Sequence, residues 1–106
     1  MKELSDLMKQ AQAMQEKLTA AQSRLAQSEV EGTSGGGMVR VMLKGAGEMA
    51  RLTIDESLVS PGEGEIIADL VMAAHADARR KLEALQAEVM REVAGPLGSI
   101  PGLPIL

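Results

Sequence analysis

Seven residues near the start of the chain, Leu4, Leu7, Ala11, Met14, Leu18, Ala21 and Leu25, recur at alternating intervals of three and four. That spacing lays one apolar seam along a helix and asks for a second helix to cover it. Residues 2–28 contain no Gly or Pro and are rich in Ala, Gln, Leu, Met and Lys, all good helix formers. A single helix over this segment would be about 40 Å long. A chain of 106 residues does not need a helix of that length to enclose its own core.

The covering helix is expected from about Glu63 to Ala94. Ile67, Leu70, Val71, Ala74, Ala78, Leu82, Leu85 and Val89 give it a buried stripe. Ser60-Pro61 offers a cap and a first-turn proline, followed by acids that suit a helix N-terminus. Gly95-Pro96 is expected to end it.

Between the helices, Val39, Val41 and Leu43 alternate with Arg40, Met42 and Lys44. After a turn through Gly45-Ala46-Gly47-Glu48, Ala50, Leu52 and Ile54 alternate with Met49, Arg51 and Thr53. Pairing like with like puts Val41 opposite Leu52, Val39 opposite Ile54 and Leu43 opposite Ala50. A one-residue slip would set Arg40 against Arg51. Met42 and Met49 then fall on the outer face of the sheet. A strand near Ser28–Thr33, with Val30 inward, completes a meander.

The fold class is thus α+β, in the order α-β-β-β-α, with a small antiparallel three-stranded sheet and two long antiparallel helices. Residues 1–94 make one domain, and the uncharged, proline-containing stretch 95–106 reads as a flexible tail. Strands this short span about 20 Å, so both helices outrun the sheet. The sheet itself is small and has unpaired edges, and a homodimer joined through the sheet region is the natural remedy.

The missing residue types exclude much chemistry. The chain has no Cys, Trp, Tyr or Phe and a single His. Disulfides, thiolate nucleophiles and zinc knuckles are therefore ruled out, and so are aromatic platforms for stacked bases. His75 has no Cys partner and no spaced Ser and Asp that would make a triad, so no catalytic residue is assigned. Neither a cofactor nor a metal site is expected, and no small-molecule substrate. Gly35-Gly36-Gly37 precedes a strand rather than a helix and lacks the Lys-Ser or Lys-Thr pair of a phosphate loop, which makes it a turn. No apolar run approaches the ~18 residues of a membrane span and no signal-peptide core is present. A cytoplasmic protein with no membrane contact is expected.

The net charge of −4 argues against a nucleic-acid partner until its distribution is considered. Asp55, Glu56, Glu63, Glu65 and Asp69 concentrate the acidity in one stretch, and the rest of the chain is nearly balanced. On the second helix, Asp77 with Lys81 and Arg79 with Glu83 stand four apart and satisfy each other. Arg80 and Arg91 differ: with Ala84 and Ala87 they lie away from the apolar stripe, about 16 Å apart along the helix. On the first helix Lys2, Lys9 and Arg24 fall outward with Ala13 and Ala20. Antiparallel packing is expected to carry Lys2, Lys9, Arg80 and Arg91 toward the free ends of the helices, leaving the acids beside the sheet.

Several blocks together resemble the bacterial YbaB/EbfC family of nucleoid-associated proteins: LSDLMKQAQAMQEKL (4–18), EVEGTSGGGMVRV (29–41), Ile54-Asp55, IIADLVMAAHADARRKLE (66–83) and GPLGSIPGLP (95–104). The chain departs from the family pattern at Ala46, His75 and Ala76. The resemblance implies a dimeric, tweezer-like protein of the bacterial nucleoid that binds double-stranded DNA through its two long helices. It also implies a role in nucleoid organisation or gene regulation. Lys2, Lys9, Arg24, Arg80 and Arg91 are the candidate DNA-binding residues, with contacts mainly to the phosphate backbone. The alternative is a protein–protein adaptor using coiled-coil arms and the apolar tail.

Overall fold

The computed structural model describes residues 2–98, with side chains through Ala94. Its elements run α1 (Lys2–Ala26), β1 (Glu29–Ser34), β2 (Val39–Lys44), β3 (Met49–Ile54) and α2 (Gly64–Gly98), with short 3-10 turns at Gly35–Gly37 and Glu56–Leu58. This is the expected α-β-β-β-α order. The radius of gyration is 20.2 Å, well above the roughly 13 Å of a compact chain of this length.

The sheet is an antiparallel meander in the order β1-β2-β3. Val41 faces Leu52 and Val39 faces Ile54, as like-with-like pairing requires, and Val30 faces Leu43. The expected partnership of Leu43 with Ala50 does not form. A bulge shifts the register so that Leu43 faces Met49, leaving Ala50 as the extra residue. The turn is the cause. Lys44 donates its backbone N–H to Glu48 O, Gly47 donates to Lys44 O, and Gly47 takes φ 104°, so the hairpin closes one residue tighter than the strand pattern implies. Met42 keeps the outer face, whereas Met49 turns to the Leu43 side.

Val39, Val41 and Leu43 are fully buried beneath Ala74, Ala78 and Leu82 of α2. The helix comes very close to β1. A Cβ at Gly32 would overlap the backbone of Ala74 and Ala78, so glycine on the strand and alanines on the helix together allow the approach. The glycine run does form a turn, with φ of 59°, 69° and 95° at residues 35–37.

The helix α2 starts at Gly64, as expected for a start near Glu63, but Ser60-Pro61 does not cap it: Ser60-Pro61-Gly62 makes a turn, with Gly62 at φ 87°. At the other end, contrary to expectation, the helix continues through Gly95-Pro96 to Gly98. A proline one turn from a helix end removes a single late hydrogen bond, which the preceding turns tolerate. Residues 99–106, where the rest of the expected flexible tail falls, lie outside the described residues.

Away from the sheet, α1 and α2 pack antiparallel as an arm. Ala21, Val89 and Val93 are buried there, with Met14, Leu18, Leu25 and Leu85 around them. The seam is filled only from Met14 onward. Leu4 and Leu7 are exposed, Leu7 to 65%.

Candidate nucleic-acid interface

One contact fixes how the charges of the two helices align. Arg24 Nη1 donates to Glu92 Oε2 at 2.6 Å across the seam, so these residues mark the same flank of the arm. A heptad before Arg24 stands Lys17. Lys9 and Lys2 continue the row in steps of eight and seven, with Ala13 and Ala20 interposed. On α2, Asp77, Lys81, Glu88 and Glu92 follow one another at helical spacing, and Arg80, Ala84, Ala87 and Arg91 adjoin them. The opposite flank carries Gln12, Gln15, Thr19 and Gln22 on α1 and the self-paired Arg79 and Glu83 on α2. Helical periodicity therefore gathers the candidate cations on one side.

Their surroundings differ. Lys2, Lys9 and Arg91 are exposed, and no ion pair among the described residues involves them. Arg24 is engaged by Glu92, whose hydrogen bond and charge raise the Arg24 pKa above its ordinary value. Arg80 lies 3.4 Å from Asp77. It also sits over the sheet, beside Ala78 and Leu82 of the main core, and so is not carried to the free end as expected. The helical arm begins beyond it.

Asp77 joins the base to this flank. The Thr33 N–H donates to its carboxylate at 3.0 Å and Lys81 Nζ lies 3.2 Å away. The Thr33 hydrogen bond, then the Lys81 hydrogen bond and the charges of Lys81 and Arg80, hold its pKa below the usual carboxylate range. Lys81 also donates to Glu31 O of β1. The Asp77–Lys81 and Arg79–Glu83 partnerships expected from their four-residue spacing are both present. The acidic stretch remains at the base, around Glu56–Leu58 and the start of α2.

Sequence reasoning passed over Lys17. It lines a shallow groove between the helices together with Ala20, Arg24, Val89, Glu92 and Val93. Its seven-residue step from Arg24 was the available signal. His75 is half-buried on α2, and no side-chain hydrogen bond among the described residues involves it. Among the described residues no group of three His, Cys, Asp or Glu is placed to hold a metal ion, and no helix is long and apolar enough to cross a membrane.

The model of the YbaB/EbfC DNA-binding family matches residues 1–97. The chain belongs to that family. Among YbaB/EbfC relatives, a nucleoid-associated protein of Phenylobacterium zucineum is 67% identical, the match covering 100% of this chain and 99% of the relative. A nucleoid-associated protein of Caulobacter vibrioides is 64% identical, covering 98% and 96% of the two chains. The crystal structure of an uncharacterized protein from Helicobacter pylori superposes with a TM-score of 0.72 at 26% identity, over 86% of this chain and 96% of that one. YbaB/EbfC is a DNA-binding family, not an enzyme family.

Proposed function

We propose that the protein binds double-stranded DNA through its phosphate backbone, using the cationic flank of the arm. Lys2, Lys9, Arg24, Arg80 and Arg91 are the contact residues, acting as a homodimer in the cytoplasm at the nucleoid, where it organises the chromosome or regulates genes. The observation that carries the reading is that Lys2, Lys9, Arg24 and Arg91 share one flank of the arm, where the Arg24–Glu92 bridge joins α1 to α2, with Arg80 on the same side over the sheet. Ala13, Ala20, Ala84 and Ala87 lie among them and let a phosphate chain come close to the helices. Among the described residues no helix-turn-helix accompanies them, so contacts go to phosphates and binding weakens steeply with salt. The nucleoid-associated relatives support the nucleoid assignment.

The uncovered side of the sheet supports the dimer. Leu52 lies opposite the fully buried Val41 yet is 42% exposed, and Met72 of α2 is 70% exposed. A second copy placed over β3 would bury both, and would turn two arms outward from one base. The adaptor reading retains one favouring feature, the bare Leu4, Leu7 and Met8 of α1.

Binding of random-sequence duplex at low and physiological salt tests the proposal, with Lys9, Arg80 and Arg91 changed together to Glu. Salt-sensitive binding that the reversals abolish, with oligomeric state preserved, is the expected result. Absence of binding by the wild type at low salt would hand the function to the adaptor reading.

A further inference from the structure

The groove between α1 and α2 holds a combination that the row of exposed cations does not explain. Its floor is the buried Ala21, Val89 and Val93, and its rims carry Lys17, the exposed Ala20 and Arg24 from α1 and Glu92 from α2. The cavity measures about 280 Å³ and opens to solvent. Lys17 belongs to no ion pair among the described residues, while Arg24 is held by Glu92. Glu88 adds a second negative charge near Arg24. Unliganded, the groove is thus close to electrically balanced, with one cation available and one occupied.

We infer that this groove seats one DNA phosphodiester, gripped by Lys17 and Arg24, and that Glu92 competes with the phosphate for Arg24. The inference rests on the DNA-binding reading given above. A guanidinium presents the same fork of donors to a carboxylate and to a phosphate, so the two anions are exchangeable partners. The side chains of Arg24 and Glu92 are 45% and 57% exposed, and an ion pair that wet is weak enough to be displaced. Ala20 keeps the rim between Lys17 and Arg24 low, where a longer side chain would hold the phosphate away from both cations. Lys17 meets the incoming anion first, and Arg24 then turns from Glu92 to the phosphate. Glu92 keeps Arg24 positioned in the free protein and limits how tightly the arm holds DNA.

Two variants and a control test this on the full chain. Glu92→Gln removes the competitor and should tighten binding of a random duplex by about threefold to tenfold at low salt. Lys17→Gln leaves the Arg24–Glu92 bridge intact, and should weaken binding and lower the salt dependence by about one phosphate contact. Glu83→Gln removes the same charge from the opposite flank and should move affinity less than Glu92→Gln does. Thermal melts establish that each variant is folded.

The seat is overturned if Glu92→Gln matches Glu83→Gln, or if Lys17→Gln binds like the wild type. It is also overturned if inorganic phosphate alone binds the protein at millimolar concentration while DNA affinity ignores both variants, since the groove then holds the free ion. A wild type without DNA affinity at any salt sinks the DNA reading itself. Loss of binding on reversing Lys9, Arg80 and Arg91, with both groove variants indifferent, sinks only the groove.

Discussion

The base and the arm of this molecule use α2 in opposite ways. At the base, Val39, Val41 and Leu43 are fully buried against Ala74 and Ala78, and side chains of α2 reach backbone groups of β1 through Asp77–Thr33 and Lys81–Glu31. In the arm, Ala21, Val89 and Val93 make a narrow buried line, and one exposed ion pair joins the two helices. The base is a folded core, whereas the arm is a seam one residue wide, most of whose surface remains available to a ligand. Stability and binding are thereby divided between the two ends, and substitutions should divide the same way.

The base should break most readily at Gly32. Gly32→Ala forces the strand off the α2 backbone and should cost about 3 kcal/mol or more, read as a fall in the urea midpoint. Leu43→Ala follows, at about 3 kcal/mol from lost burial and a cavity. Val89→Ala in the arm should cost about 1–2 kcal/mol. Its distinctive readout is local, because amide exchange should accelerate in α1 and the second half of α2 before the sheet is affected.

Asp77 offers a smaller effect with a sign. Its depressed pKa means that its contribution is present above the ordinary carboxylate value of about 3.8 and is lost as pH falls through the lower folded value. The wild-type Tm should therefore fall faster below about pH 4 than that of Asp77→Asn, whose profile is flatter. Smallest of all is Leu7→Ala, expected within about 0.5 kcal/mol of wild type. It is the same chemical change as Leu43→Ala at the other end of the molecule. A large loss at Leu7 would mean that the seam is covered after all, and the contrast between base and arm would fail.

Periodicity made much of this legible. The three-and-four spacing from Leu4 to Leu25 located α1, and alternation from Val39 to Ile54 located β2 and β3 with two of the three inward pairs. What it could not supply was the placement of one element on another. That Gly32 lies under Ala74 and Ala78, and that Arg24 meets Glu92 sixty-eight positions away, depends on how α2 crosses the sheet and slides along α1. The bulge at Ala50 came from a turn closing tighter than the strands required, which an alternation pattern cannot register. Arg80 was assigned to the tip for the same reason. Its outward direction follows from its position on the helix, but its distance from the sheet follows from where α2 docks. Lys17 was passed over because a groove exists only once two helices are aligned.

The most direct measurement is backbone amide NMR of the protein titrated with a short random-sequence duplex at low salt. Amides of Lys2–Arg24 and of the second half of α2, Lys17 and Arg91 among them, should shift together, while Val39–Leu43 stay in place. Shifts confined to the strands or to the acidic segment 55–69, with the arm unmoved, would contradict DNA binding by the arm.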